Sequence, residues 1–297
     1  MAVFFLTRQA PISATAWAAL LHCIFSTAAI RGEEAAAKIS STAQTSVPVQ
    51  LSHSALPGLI LVWCPPGTFL MGSPKGELGR FANEAPAETT LTHGFFIQST
   101  ELTQQQWGAL RNSNPSSFVN PSNPVEMVNW EDATGFCEEL TRKSLAEGLI
   151  PKGWRFDLPT EAQWEYACRA GTTSALNDGS NLASKTGADP GLDPLAWYES
   201  NSEQAAHPVA GKKPNAWGLY DMHGNLWEWC RDWFEFKLRG GNDPAGPTEG
   251  SSRVIRGGSW YIGSPSFCRS AYRSSYGIER RISHLGFRIA LVPSPRP

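Results

Sequence analysis

Twelve tryptophans on a chain rich in glycine and proline constrain this sequence more than any other feature. The 297 residues include 27 Gly and 22 Pro, about one residue in six, against roughly 12% in an average protein. Glycine and proline interrupt regular elements, and tryptophan brings a large apolar surface that a core must accommodate. We therefore expect a loop-rich fold with large aromatic anchors rather than a fold of long helices.

The charge and hydrophobicity of the chain exclude two classes of protein. A total of 25 Lys and Arg against 27 Asp and Glu leaves a formal charge of −2, without the basic excess of a nucleic-acid-binding protein. Hydrophobic residues make up 41% of the chain, which is enough apolar surface to offset the entropy lost on ordering. We expect a folded protein with no nucleic-acid partner.

The first thirty residues are typical of a secretory signal. Arg8 precedes an uncharged apolar run over 12–30, and Ser26 and Ala28 are the small residues that signal peptidase requires. The alternative is a short buried or amphipathic segment, but a polar tract follows directly and the run is too weak to span a membrane. We predict a secreted or periplasmic protein with no transmembrane anchor in the mature chain. The predicted divisions are a signal peptide (1–28), a flexible linker (29–55), a folded domain (56–293) and a tail (294–297).

Local signals predict three helices and several short strands. Thr103, Asn129 and Thr160 are suitable N-caps, because their side chains can accept hydrogen bonds from the first free amides of a helix. The helices that they open are predicted over 104–110, 130–146 and 161–171. Apolar runs between turn residues predict strands over 59–63, 68–71, 95–97, 253–260 and 285–292. Together these elements predict one α+β domain with an irregular second half.

The stretch 218–229 contains the pattern of a candidate cation site. Calcium takes oxygen ligands from carboxylates and backbone carbonyls of a short loop, in which a glycine allows a tight turn. Asp221 and Glu228 on either side of Gly224 fit that requirement. The alternative is that Asp221 caps a turn and Glu228 pairs with an arginine. Spacing alone does not separate the two interpretations.

Five cysteines follow the predicted signal peptide, and in an oxidising compartment some of them should pair. Cys268 lies among arginines in the sequence, which would lower the pKa of its thiol and make it a candidate nucleophile. A disulfide is the favoured interpretation of this residue. A serine hydrolase is not predicted, because the Gly-x-Ser-x-Gly pattern around Ser259 fails at Tyr261.

Six segments of recognisable sequence occur in a fixed order along the chain. They are Glu-Leu-Thr at 101–103, Val-Asn-Trp-Glu-Asp-Ala at 128–133, Leu-Pro-Thr-Glu-Ala-Gln-Trp-Glu-Tyr-Ala at 158–167, the stretch 218–229, Arg-Gly-Gly-Ser at 256–259 and Gly-Phe-Arg at 286–288. Together they resemble the formylglycine-generating enzyme, or sulfatase-modifying factor, family over about 56–291. The resemblance implies a single compact domain, a formylglycine-generating-enzyme-like variant of the C-type lectin fold with little regular secondary structure.

The resemblance also implies a metal site and a reaction. It favours a structural calcium held by the side chains of Asp221 and Glu228 and the carbonyls of Gly224 and Leu226. Members of the family oxidise a cysteine in a sulfatase Cys-x-Pro-x-Arg motif to formylglycine, with copper bound by two cysteines shortly after the Gly-Gly-Ser motif. Soft thiolates select Cu(I), and two of them are needed to hold it.

The chain departs from the family at that copper pair. The first cysteine would fall near Ile262 and the second near 265–267, where only Cys268 is close. We therefore expect no copper and an exported, catalytically divergent member, with Cys268 as the remaining catalytic candidate. The family partners of Cys137 and Cys168 correspond to Ile289 and Ser270, so the connectivity of any disulfide stays open.

A non-catalytic binding module is the alternative function. The mixture of aromatic residues and serines near the would-be active region suits an adaptable contact surface for a protein, peptide or glycan. The predicted ligand-contacting residues are Trp227, Ser259, Trp260 and Tyr261. The expected partner is a protein or peptide, with a sulfatase among the candidates. Relatives that form carbon–sulfur bonds with iron carry an additional His-rich helical domain, which this sequence lacks.

Overall fold

The computed structural model describes residues 50–54 and 56–294. The predicted signal peptide, residues 29–49 and 55 of the predicted linker, and residues 295–297 of the predicted tail lie outside the described residues. One strand falls inside the segment 29–55 that was predicted as a linker, because residues 50–53 pair with the next strand along the chain. Within the described residues, regular structure therefore begins at Gln50, before the predicted domain boundary.

The largest sheet brings together the two ends of the domain. Its strand order is β1 (Gln50–His53), β2 (Leu59–Cys64), β5 (Phe95–Gln98), β14 (Ala290–Pro293) and β6 (Trp154–Asp157). All four pairings are antiparallel. Because β14 lies between β5 and β6, the last of the described strands completes the sheet and leaves β6 at its edge.

Three smaller sheets complete the β-structure of the described residues. One has the order β10 (Gly241–Asn242), β4 (Ala87–Leu91) and β3 (Gly67–Met71). The second is β12 (Ser274–Tyr276), β11 (Arg253–Arg256), β9 (Trp227–Trp233) and β13 (Leu285–Gly286), and the third pairs β7 (Ala196–Trp197) with β8 (His223–Gly224). Strands this short agree with the predicted loop-rich α+β fold.

The three predicted helices all form, and each begins with the predicted residue. They are α1 (Gln104–Gly108), α2 (Trp130–Ala146) and α3 (Glu161–Arg169). Each N-cap forms a full capping box with the side chain three residues later, so two free amides are satisfied at each start. The helices α1 and α3 end two residues earlier than predicted. Within the described part of the chain, no helix has the length and apolar character needed to cross a bilayer.

Tryptophans anchor the core, as the composition predicted. Trp164 and Trp229 are fully buried among the largest side chains of the interior. Their indole N–H groups donate to the Glu228 carboxylate and the Val128 carbonyl at 2.8 and 3.1 Å. Because both donors are satisfied, these large rings can be buried without leaving an unpaired polar group.

Glycines divide the predicted strand over 253–260. The strand β11 ends at Arg256, because Gly257 and Gly258 adopt φ values of +99° and +80°. A Cβ at Gly258 would lie 2.6 Å from the Cys268 sulfur, so only glycine fits at this approach. The chain therefore turns away from the sheet and passes directly over Cys268.

Candidate functional site

Three buried carboxylates, those of Glu101, Asp221 and Glu228, lie near the fully buried Arg288. The two Glu228 oxygens accept hydrogen bonds from Arg288 Nε and Nη2, both at 2.7 Å. Trp164 adds a third donor to the Glu228 carboxylate. Glu228 therefore pairs with an arginine, as the structural alternative for this residue predicted.

Asp221 has one satisfied and one unsatisfied oxygen. Its Oδ2 accepts a hydrogen bond from the Ala210 amide at 2.7 Å, whereas its buried Oδ1 has no hydrogen-bond partner. Burial raises the pKa of Asp221 to about 6, and the charge of Glu228 acts in the same direction. An unpartnered carboxylate oxygen in the interior is costly unless a cation or a proton compensates it.

Glu101 organises the loop that carries these groups. Its two oxygens accept from the Leu226 amide at 2.8 Å and from the Asn225 side chain at 2.7 Å. Burial raises the pKa of Glu101 well above its ordinary value, and the negative charges of Asp221 and Glu228 raise it further. The three buried carboxylates therefore outnumber the one arginine beside them, Arg288.

A hard cation fits this deficit of positive charge. Within the described ranges, no three His, Cys, Asp or Glu side chains converge as a metal-binding group. A calcium at this place would therefore depend on the free oxygen of Asp221, the Glu228 carboxylate and backbone carbonyls such as those of Gly224 and Leu226. Gly224 is required locally, because a Cβ there would lie 2.2 Å from the Trp197 carbonyl oxygen.

Cys268 is not an activated thiol. It is fully buried in an apolar cluster whose other members are Leu176, Leu182, Leu192, Leu195, Ala196 and Tyr198, with Leu78 packed against them. Burial raises the pKa of its thiol to about 12, so the thiol keeps its proton near neutral pH.

The arginines near Cys268 in sequence do not lower its pKa, contrary to the sequence prediction. The Arg269 guanidinium donates to the carboxylates of Glu77 and Glu84 at 2.5 and 2.7 Å. Arg273 donates to Glu161 at 2.6 Å. Because the charges of Arg269 and Arg273 are already paired with buried carboxylates, these side chains do not stabilise a thiolate at Cys268. The cluster around Cys268 contains no second cysteine, so the residues present do not fit a bis-thiolate copper centre.

The predicted disulfide is absent from the described domain, where all five cysteines are free and buried: Cys64, Cys137, Cys168, Cys230 and Cys268. Cys168 instead lies with its sulfur 3.5 Å from the Ser270 hydroxyl oxygen. The family resemblance matches Ser270 to the partner cysteine of Cys168. The two side chains are in contact, but without a second sulfur no disulfide can join them.

His223 is a buried residue with a structural role. Its Nε2 accepts a hydrogen bond from the Asn177 amide at 3.0 Å, so Nδ1 carries the proton and donates to the Cys268 carbonyl at 2.6 Å. Burial lowers the pKa of His223 to about 4. The neutral ring therefore fixes the backbone of Cys268 against β8.

The four predicted ligand-contacting residues differ in their access to solvent. Trp227 and Trp260 are only 3% and 6% exposed, and Ser259 is fully buried, so these three side chains pack inside the protein. Tyr261 is 61% exposed and stacks on His284, with ring centroids 5.0 Å apart. The accessible part of the predicted ligand region is therefore reduced to Tyr261 and its neighbour His284, which sequence patterns did not indicate.

Arg256 connects three segments of the chain near Cys268. This fully buried guanidinium pairs with Glu165 and, at 3.4 Å, with Glu161, both on α3. It also donates to the carbonyls of Ser270 and Ala271 at 2.8 and 3.2 Å. The end of β11, the helix α3 and the segment after Cys268 are thereby held together through one side chain.

Comparison with known proteins is consistent with this architecture. The family model of the sulfatase-modifying factor enzyme 1-like domain matches residues 48–292. The formylglycine-generating enzyme of Mus musculus is 35% identical over 186 residues, which are 59% of this chain and 46% of that protein. The chain thus spans about half the length of the curated relatives that it matches.

Solved structures agree with this match. Treponema denticola variable protein 1 has a TM-score of 0.70 and 30% identity, with 84% of this chain and all of that chain covered. PvdO from Pseudomonas aeruginosa has a TM-score of 0.69 at 23% identity, with 84% and 99% of the two chains covered, and is similar in fold.

Proposed function

The chain belongs to the family of the sulfatase-modifying factor enzyme 1-like domain, and from this premise we propose an exported member that has diverged from copper-dependent formylglycine formation. The fold, an α+β variant of the C-type lectin kind, is that of the family. Export rests on residues 1–28, and its test is the N-terminal sequence of the protein recovered outside the cytoplasm. Cleavage after Ala28 is the expected result.

The observation that carries the catalytic divergence is the environment of Cys268. Copper in the family chemistry needs two thiolate ligands, and substrate must reach them. Cys268 is a buried, protonated thiol in an apolar cluster without a second cysteine. Soft thiolate ligands select Cu(I), and a single thiolate does not reproduce a two-thiolate site.

The experiment is an oxidation assay on a peptide with the Cys-x-Pro-x-Arg motif. The protein is incubated with Cu(I), the peptide and oxygen, and peptide thiol and aldehyde are measured by mass spectrometry, with an active formylglycine-generating enzyme as the positive control. We expect no aldehyde, and no difference between the native chain and Cys268→Ser. Aldehyde formation that the Cys268→Ser variant abolishes would overturn the proposed divergence.

A second candidate function, binding of a protein or peptide, is favoured by the surroundings of Tyr261. Its exposed ring packs edge-on against the buried Trp260, with centroids 5.5 Å apart, and Trp260 in turn contacts Phe118 at 5.3 Å. Val119, beside Phe118 in the chain, is 76% exposed. A rigidly supported aromatic side chain offers contact area at a small entropic cost. A sulfatase-derived peptide is the first ligand to test.

The test of binding compares two exposed apolar side chains. Tyr261→Ala is measured against Leu145→Ala, which removes a 41% exposed side chain from α2. With a fluorescent Cys-x-Pro-x-Arg peptide, we expect the Tyr261 variant to weaken binding at least fivefold and the Leu145 variant to leave it unchanged. Equal binding by both variants and the native chain would remove this surface as a candidate.

A structural calcium is the cofactor that we propose. The charge deficit near Asp221 and its unpartnered Oδ1 support the proposal. Bound calcium would supply the missing positive charge and stabilise the loop 221–228. Asp221 and Glu228 would hold it by their side chains, and Gly224 and Leu226 by their carbonyls.

A further inference from the structure

A surface cleft of about 660 Å³ lies at the edge of the large sheet. Edge strand β6 forms one wall through Arg155 and Asp157, which alternate along the chain and therefore share one face of the strand, and Gly153 lines the cleft just before the strand begins. Arg231 of β9 and Gln163 of α3 also line the cleft. None of the groups discussed for copper, calcium or Tyr261 belongs to it.

The charged centre of the cleft consists of two arginines that share one carboxylate. Asp157 Oδ2 accepts hydrogen bonds from Arg155 Nε and Nη2 at 3.1 and 2.9 Å, and it forms an ion pair with Arg231 Nη1 at 3.0 Å. The other oxygen of Asp157 accepts from the Leu158 amide at 2.9 Å. Two guanidinium charges against one carboxylate leave this group with a net charge of +1.

Both guanidiniums remain accessible from the cleft. The side chains of Arg155 and Arg231 are 22% and 47% exposed, whereas that of Asp157 is 15% exposed. A guanidinium has five N–H donors in a planar fork, which suits the oxygens of a carboxylate or a phosphate. The pair is therefore shaped for an oxyanion that approaches from solvent.

One further carboxylate, that of Asp243, lines the cleft, so the excess positive charge is confined to the group formed by the two arginines and Asp157. Asp243 and His93 lie 3.8 Å apart at the rim, with Asp243 44% exposed and also hydrogen-bonded to the Thr92 amide at 2.8 Å. The rest of the wall includes apolar side chains, those of Leu158, Val292 and Pro293. A ligand with an anionic head and an apolar body would match both parts of the cleft.

We propose that this cleft binds a small organic anion through a phosphate or carboxylate group held by Arg155 and Arg231. The apolar part of the ligand lies against Leu158, Val292 and Pro293. The volume is within the range of about 300–1,000 Å³ that is usual for small-molecule pockets. The cleft and the proposed divergence from copper chemistry are independent, so either can fail without the other.

The test is isothermal titration of the full chain with four probes at constant ionic strength: inorganic phosphate, phenyl phosphate, acetate and benzoate. We expect saturable binding of at least one aromatic probe, at least tenfold tighter than its inorganic or aliphatic counterpart. Preference for phenyl phosphate over benzoate, or the reverse, identifies the head group. No saturable binding of any probe, or equal affinity for aromatic and small probes, would overturn the proposal.

Two matched variants locate the binding. Arg231→Gln should weaken it at least tenfold, whereas Arg281→Gln should leave it unchanged. Arg281 is a fair control because it is 44% exposed, pairs with one aspartate, Asp132, and does not line the cleft. If Arg231→Gln does not fold, Arg231→Lys keeps the charge but loses the planar fork and should also weaken binding. Equal affinity in the arginine and control variants would place the ligand elsewhere.

Discussion

The sulfur of Cys168 lies 3.5 Å from the hydroxyl oxygen of Ser270, two residues that are 102 positions apart in the chain. A pair so close across so long a loop is suited to a cross-link. We predict that Ser270→Cys forms a disulfide with Cys168 and stabilises the fold by about 2–4 kcal/mol, chiefly by restricting the unfolded chain.

The check is a thiol count in denaturant together with melting under oxidising and reducing conditions. The oxidised variant should have one titratable thiol fewer than the native chain, and its extra stability should vanish on reduction. Cys168→Ser combined with Ser270→Cys is the control and should show neither effect. Two thiols that stay free in the single variant would contradict the prediction.

The buried His223 predicts a loss of stability in acid. Its pKa is about 4 in the folded protein, below the ordinary 6.5, so only the unfolded chain takes up a proton between these values. The contribution of the neutral His223 ring to the free energy of unfolding is complete above pH 6.5 and is lost as the pH falls towards 4. The loss is about 3 kcal/mol, at 1.36 kcal/mol per pKa unit.

Urea unfolding of the native chain and His223→Gln at pH 7, 6, 5 and 4 isolates this effect. Asp221 and Asp232 have pKa values raised to about 6 and about 7, so they act in the opposite direction over part of the range. Both proteins contain these two aspartates, so their effect cancels when the two free energies of unfolding are compared. The difference in the free energy of unfolding should shrink as the pH falls, because it arises from His223 alone. A difference that stays constant from pH 7 to 4 would rule out titration of His223 as the cause.

Calcium that binds to Asp221 in the folded protein should raise its melting temperature. At a concentration 100 times its dissociation constant, a ligand that binds only the folded state contributes about 2.7 kcal/mol. Because burial raises the pKa of Asp221 to about 6, calcium binding should tighten as the pH rises through that value.

Melting curves in calcium and in chelator, at pH 5 and pH 7.5, measure both expectations. Asp221→Ala should remove the calcium response, whereas Glu249→Ala, which removes an exposed carboxylate, should retain it. A native chain that melts at the same temperature with and without calcium would exclude the site.

Arg256 should be among the most sensitive positions of the fold. Removing it leaves the buried carboxylates of Glu161 and Glu165 without one of their partners. Loss of one partner from a buried ion pair costs roughly 3–5 kcal/mol, so Arg256→Met should unfold at much lower urea concentration. Arg239→Met, which breaks an exposed pair with Glu235, should leave the unfolding midpoint nearly unchanged, because exposed ion pairs contribute little to stability.

Alanine substitutions of Trp260 and Tyr261 should lower the stability by different amounts, because the first side chain is packed inside the protein and the second lies at its surface. Trp260 is 6% exposed and donates from Nε1 to the Ser283 carbonyl at 3.1 Å, so Trp260→Ala should cost about 3–5 kcal/mol. Tyr261→Ala removes a mostly exposed ring and should cost less than about 1 kcal/mol. Chemical denaturation of the two single variants checks the contrast, and similar losses in both would contradict the assigned burial.

Features that depend on neighbouring residues could be predicted from the sequence. Each helix start needed a cap and a partner three residues later, and all three formed as predicted at Thr103, Asn129 and Thr160. The family also followed from sequence, because its six segments lie in order along the chain. The absence of the family's cysteine pair after the Gly-Gly-Ser motif is likewise a property of the sequence.

The protonation of the Cys268 thiol, the partners of the charged side chains and their access to solvent depend on tertiary structure. The arginines beside Cys268 suggested an acidic thiol, but leucines from 176–195 bury it and distant glutamates pair with those arginines. Glu228 meets Arg288 across 60 positions, and Arg155 meets Arg231 through Asp157 only because β6 lies near β9. A pKa or a cleft depends on groups brought within a few ångströms, and local sequence patterns carry no information about groups that far apart along the chain.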